Sequence, residues 1–245
     1  MNKYRKQAII VGILFIIATA APLLSTPFIS PVFNPGNTQD YLVNVAENTT
    51  QVTTGALLEV IMALAIAGIA ITLYPVLKKY SETLAMGYVV IRTIEGVIFI
   101  VVAVFGLLSM VTLSQEFVKA GAPSASHFQT LGTLLTAAHD WAYIVSNPVF
   151  SLSALILNYV LYRSKFVPRF ISVWGMIGTV LLLAGGLSGM FSLLTDTSIL
   201  GNTIYLPLAV QEMVFAVWLI VKGFNLDYLP SGPGNARAQT TANIL

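Results

Sequence analysis

Residues 89–100 read VVIRTIEGVIFI, which sets Arg92 and Glu95 three apart inside an apolar run. On a helix that spacing, with Gly96, puts them on one face. A charge at mid-bilayer costs about 2.5–3.5 kcal/mol on insertion scales, so both side chains are expected to face a bundle interior and to have partners. Glu212 precedes Lys222, and Arg92 follows Glu82, by the same ten residues, ~15 Å of helix. Arg92 and Glu212 are therefore expected at one depth as partners, with Glu95 one turn further out, near the level of Asn147. Two carboxyls beside one guanidinium in low dielectric do not readily both ionise, so one is expected to hold a proton. That chemistry is a ligand or proton site made of Arg92, Glu95, Asn147 and Glu212. The competing reading is a clamp in which the same charges only hold helices together.

A second polar group falls near the opposite boundary: Glu59, His139 and Asp140. One imidazole and two carboxylates could serve acid–base or metal chemistry, but catalytic zinc sites usually recruit two or three histidines, so no metal is assigned. Gly186-Leu187-Ser188-Gly189 matches the GxSG nucleophile turn of rhomboid intramembrane proteases, also built on a six-helix core. Their partner histidine follows the serine, whereas His139 is the last histidine here. A hydrolase or metal-dependent enzyme is thus the third reading, behind binding and structural roles. No cofactor is expected.

The elements that must position these residues follow from composition. Of 245 residues 9% are charged and 56% hydrophobic, and mean hydropathy is +0.83. Soluble domains carry about 25% charged residues, so the chain reads as an all-α integral membrane bundle. There is no cysteine, which excludes disulfides and thiol catalysis. No basic cluster is interleaved with aromatics, which argues against nucleic acid as a partner. The expected partners are the lipid bilayer and a small-molecule ligand.

A span needs ~20 apolar residues. Six segments qualify, at about 7–26, 54–77, 83–111, 130–162, 168–194 and 203–222. Lys3, Arg5, Lys6, Lys78, Lys79, Arg163, Lys165, Arg169 and Lys222 flank one side, while Asp40, Glu47, Glu116 and Asp196 lie in the opposite loops with Lys119 their only base. By the positive-inside rule both termini are cytoplasmic and the protein sits in the cell (cytoplasmic) membrane. The first segment resembles a signal peptide but is longer than an ordinary one, and an uncleaved helix is expected. Residues 1–222 form one transmembrane domain, with an outer loop at 27–53 and a disordered cytoplasmic tail at 223–245. Pro27, Pro31 and Pro35 argue against helix early in that loop. A short helix carrying Tyr41, Leu42 and Val45 is possible there, though a plain linker is the simpler expectation. The fourth span is too long to be straight and is expected to kink or break at Asn147-Pro148, unless it continues out of the membrane.

The stretches LLEVIMALAIAGIAITLYPVLKKYSETLAMGYVVIRTIEGV, HDWAY, LYRSKFVPRFISVWGMIG and LPLAVQEMVFAVWLIVKGFN, in that order, resemble an uncharacterised bacterial multi-pass membrane family, domain of unknown function 4386. The resemblance implies the multi-pass topology. It places Glu59, Arg92, Glu95, Asp140, Arg163, Pro168 and Glu212 at motif positions, and it implies no activity, substrate or cofactor.

Overall fold

The computed structural model describes residues 3–33, 41–120, 125–191, 193 and 197–225. Among these there is helix and no strand. The helices are α1 (Lys3–Phe33), α2 (Tyr41–Glu47), α3 (Thr49–Leu77), α4 (Glu82–Val101), α5 (Ser109–Ala120), α6 (Ala125–Ser164), α7 (Arg169–Met190) and α8 (Thr197–Val221), with a π-helical stretch, Val102–Leu108, joining α4 to α5. Six of the resulting spans are long and apolar enough to cross a membrane. Apolar side chains point both inward and outward: Leu64, Ile71, Phe105 and Val180 are exposed while Ile69, Leu73, Leu161 and Leu182 are buried. That is the pattern of helices packed on one side and bathed by lipid on the other.

Each span packs on its neighbours in sequence: α1 on α3, α3 on α4, α4 on α6, α6 on α7 and α7 on α8. The last helix then returns onto α1 and closes a ring. At one end the closure is tied by Arg5. Its guanidinium donates to the backbone carbonyls of Leu219 (3.1 Å), Ile220 (2.6 Å) and Val221 (3.1 Å). These belong to the last turn of α8, where carbonyls have no helical partner and the helix dipole favours a cation. Gly223, at φ 79°, turns the chain out in the left-handed region, and its N–H joins that of Lys222 on the Trp218 carbonyl. Arg5→Gln should therefore lower bundle stability by about 1–3 kcal/mol in a denaturant titration of the purified protein. An unchanged midpoint would show the clasp to be ornamental.

Basic and aromatic residues gather at this end. Lys79 lies 3.9 Å from the Tyr4 ring centre, and Arg169 stacks over Tyr162. Arg163 hydrogen-bonds the Tyr80 hydroxyl and so holds that phenol below its ordinary pKa. Ser81 starts α4 by accepting from the Leu84 N–H.

Three expectations need correction. First, α1 runs through Pro22, Pro27 and Pro31 to Phe33, so the early outer loop is helical. A proline leaves the carbonyl four residues back without its donor, and neighbouring side chains can take over in a bundle. Here the Pro27 carbonyl, which Pro31 leaves free, accepts from Gln51 Nε2 at 3.4 Å. Second, the plain linker gives way to α2, which buries Leu42 and Val45 against Val52, Ala56, Leu107 and Met110. Third, of the kink or break expected at Asn147-Pro148, the break is overturned: α6 is helical from Ala125 to Ser164. Ser146 and Ser153 flank the proline and donate back to the Tyr143 and Phe150 carbonyls. Most of the tail at 223–245 lies outside the described residues.

Candidate functional site

Within the ring lies a small cavity of mixed polar and apolar lining. It is lined by Phe15 of α1, Tyr88 and Arg92 of α4, Phe150, Ser153, Ala154, Leu157 and Asn158 of α6, and Leu208, Gln211, Glu212 and Phe215 of α8. Four of the six spans thus converge on it. The space open to the centre of a water molecule is about 10 Å³, enough for about one water.

Arg92 is 3% exposed, as is Glu95. Its Nη1 donates to both Glu95 carboxylate oxygens, at 3.1 and 2.9 Å. The expected Arg92–Glu212 ion pair is therefore replaced by a pair made one turn away on the same helix. The reason is geometric: residues three apart on a helix are already neighbours, and the guanidinium needs no reorientation to reach Glu95. Glu212 lines the same cavity but forms no ion pair among the described residues. Arg92 also stacks over the Phe150 ring, 5.2 Å away on α6.

Three buried polar atoms of cavity-lining residues have no hydrogen-bond partner among the described residues: the Tyr88 hydroxyl, Arg92 Nε and Asn158 Oδ1. Native interiors seldom leave such atoms unsatisfied, and here three of them surround one small space. Asn147, expected in this cluster, lies elsewhere: its side chain packs against Gly186 of α7. Asn158, three helical turns further along α6, takes the cavity position. Its Nδ2 donates to the Ala154 carbonyl at 2.9 Å, and it lies so close to Gly175 that a Cβ there would overlap the amide. Gly96, on the same nominal face as Arg92, abuts the Ala63 carbonyl of α3 instead of the cavity.

The second polar group is built between α3 and α6. Glu59, 1% exposed, receives the Tyr143 hydroxyl on Oε1 at 2.9 Å, and His139 Nε2 faces the same oxygen at 3.2 Å. Asp140 stands 3.6 Å from the other ring nitrogen, with its side chain 69% exposed. The two carboxylates therefore bracket the imidazole and do not converge on one point, which removes the geometric basis for a Glu59–His139–Asp140 metal site. Among the described residues no three His, Asp or Glu side chains are arranged to hold a metal ion. With a carboxylate at each ring nitrogen, His139 is also poorly placed to activate Ser188. Tyr143, which the sequence reading passed over, completes this group, and its i, i+4 spacing from His139 was the available signal. The π-helical stretch brings Gly106 against His139, where a Cβ would sit 3.4 Å from the His139 Cβ.

Residues 10–223 match the family described as Domain of unknown function (DUF4386). The chain belongs to this family. Neither the curated proteins nor the solved structures contain a match. Within DUF4386, then, this is an all-helical chain with six helices suited to a membrane and two buried polar groups.

Proposed function

We propose that the chain is a multi-pass protein of the cytoplasmic membrane, with both termini in the cytoplasm, that binds a small polar solute in the central cavity and moves it in a proton-linked cycle. The observation that carries this reading is the placement of the Arg92–Glu95 pair. An ion pair kept only to join helices would bridge two of them, but this one lies within α4. Burying charge that way is costly, and it leaves Arg92 Nε, the Tyr88 hydroxyl, Asn158 Oδ1 and the Glu212 carboxyl to address whatever occupies the cavity. The guest that suits them is small, with an acceptor for Arg92 and Tyr88 and a donor for Asn158. Glu212 supplies the carboxyl that takes and releases a proton. The resting cavity is water-sized, so solute entry requires a more open conformer.

One contact favours the alternative of a non-catalytic accessory protein: Arg92 over Phe150 does join α4 to α6. The absence of native cysteine makes the choice measurable. Ser153→Cys, which lines the cavity, should react with a small thiol reagent in membranes about tenfold faster than Ser151→Cys, buried two residues away outside it. Equal and negligible labelling of both, in protein that labels fully once denatured, would favour the sealed structural role.

A further inference from the structure

Glu59 uses only half of its carboxyl group. Oε1 takes the Tyr143 hydroxyl and faces His139 Nε2, while Oε2 is buried with no hydrogen-bond partner among the described residues. A carboxylate serving only to tie α3 to α6 would pay a desolvation penalty at Oε2 for nothing, whereas a carboxyl that periodically carries a proton has a use for that oxygen. Access is provided from one side. The His139 side chain is 16% exposed and its ring spans from exposed Asp140 to buried Glu59, with one nitrogen toward each. An imidazole so placed can accept a proton at one nitrogen and release one from the other.

On the inward side the path is stopped. The Tyr143 ring meets Phe99 of α4 edge-on at 5.1 Å, and Phe99 packs with Ala21, Met62, Ala63 and Ile66. Among the described residues the titratable groups in contact with Glu59 are His139 and Tyr143, both from α6, and Asp140 stands on the far side of the imidazole. The neighbouring cluster residues from α1 and α4 are apolar.

We propose that Glu59 and His139 form a proton-uptake site at the Asp140 end of the bundle. A proton from bulk water adds to His139 Nδ1, giving an imidazolium beside Asp140. The proton on Nε2 then transfers to the Glu59 carboxylate, leaving a neutral imidazole protonated at Nδ1. The net change is one solvent proton and one carboxylate becoming one carboxyl, with the imidazole passing from its Nε2–H to its Nδ1–H tautomer. This site deepens the proton-linked reading above, on which it rests, yet it is separate from the cavity, so cysteine labelling at Ser153 and proton uptake at Glu59 can succeed or fail independently.

The test is infrared difference spectroscopy of the full-length protein in lipid nanodiscs, stepped between mildly basic and mildly acidic pH. Acidification should give a carboxyl C=O band that is lost in Glu59→Gln and retained in Glu212→Gln, separate from any band that Glu212 contributes and that only Glu212→Gln removes. In His139→Gln its rise after a pH jump should slow about tenfold, because the relay is gone. Tyr143→Phe, which keeps the ring and removes one hydrogen bond to Oε1, should shift the band's frequency. If Glu59→Gln folds and leaves the difference spectrum unchanged, Glu59 does not titrate and the proposal fails. Should that variant not fold, an unshifted spectrum in Tyr143→Phe overturns the proposal equally.

Discussion

Arg92→Leu alone is expected to destabilise the bundle by about 3–5 kcal/mol, the cost of stranding one member of a buried ion pair. Glu95 is 3% exposed, and both of its oxygens accept from Arg92 Nη1. Removing the guanidinium leaves the carboxyl in a dry interior with those two bonds lost. Arg92→Leu with Glu95→Leu should recover most of that loss, because replacing a buried pair by apolar residues of similar volume is often neutral or stabilising by about 1–4 kcal/mol. Arg92→Leu with Glu212→Leu should not recover it, since Glu95 stays stranded. Unfolding free energies of the four proteins in a mixed-micelle titration decide the matter. Recovery by the Glu212 double and not by the Glu95 double would move the pairing back to α8. The Glu95 double should also lose the cavity's function while keeping the fold, separating what the charges do from what the bundle needs.

The second large effect is expected at Gly175. A Cβ there would lie 2.5 Å from Asn158 Cγ and 2.6 Å from its Nδ2, so Gly175→Ala forces the amide off its seat. Overpacking of this kind costs about 1–3 kcal/mol. Asn158→Ala deletes the obstructing atoms together with the unpartnered Oδ1, so the two substitutions combined should cost less than their sum, with a coupling of about 0.5–3 kcal/mol. Asn158 lines the cavity, so Gly175→Ala should also slow Ser153→Cys labelling. Strictly additive costs would mean that α7 yields by moving away from α6, without disturbing the amide.

The six spans were legible because length and hydropathy alone specify them, and the bilayer imposes the length. Counting residues from the basic ends set Arg92 and Glu212 at one depth, and both line the cavity. Asn147 and Asn158, three turns apart on α6, share one face, against Gly186 and Gly175 of α7, and differ by ~16 Å of height; a count along a helix that passes through a proline did not show which amide stands at the level of Arg92. Likewise the i, i+3 relation of Arg92 and Glu95 was visible, but the choice between a near carboxylate on the same helix and a distant one on α8 depends on side-chain reach. The prolines of α1 misled for a related reason. Their helix-breaking cost assumes that no neighbour supplies a donor, and the proximity of Gln51 to the Pro27 carbonyl is tertiary information. Tyr143 escaped notice because a phenol in an apolar helix looks like packing until its hydroxyl is seen on Glu59.

The internal pairing of Arg92 with Glu95 also bears on how the chain is made. Helices enter the bilayer in order as they leave the ribosome, and α4 arrives before α6 or α8 exists. A lone arginine or glutamate would make that step costly, and a partner on α8 would come too late to help. Because the neutralising carboxylate travels on the same helix one turn away, α4 crosses the insertion machinery already balanced. Glu212 then enters on the last span, into a bundle that already holds the guanidinium. Only when α8 packs on α1 and Arg5 grips its final carbonyls does the ring shut around the polar interior. Until then the Arg92 side of the interior, which α8 covers with Leu208, Gln211, Glu212 and Phe215, stays open.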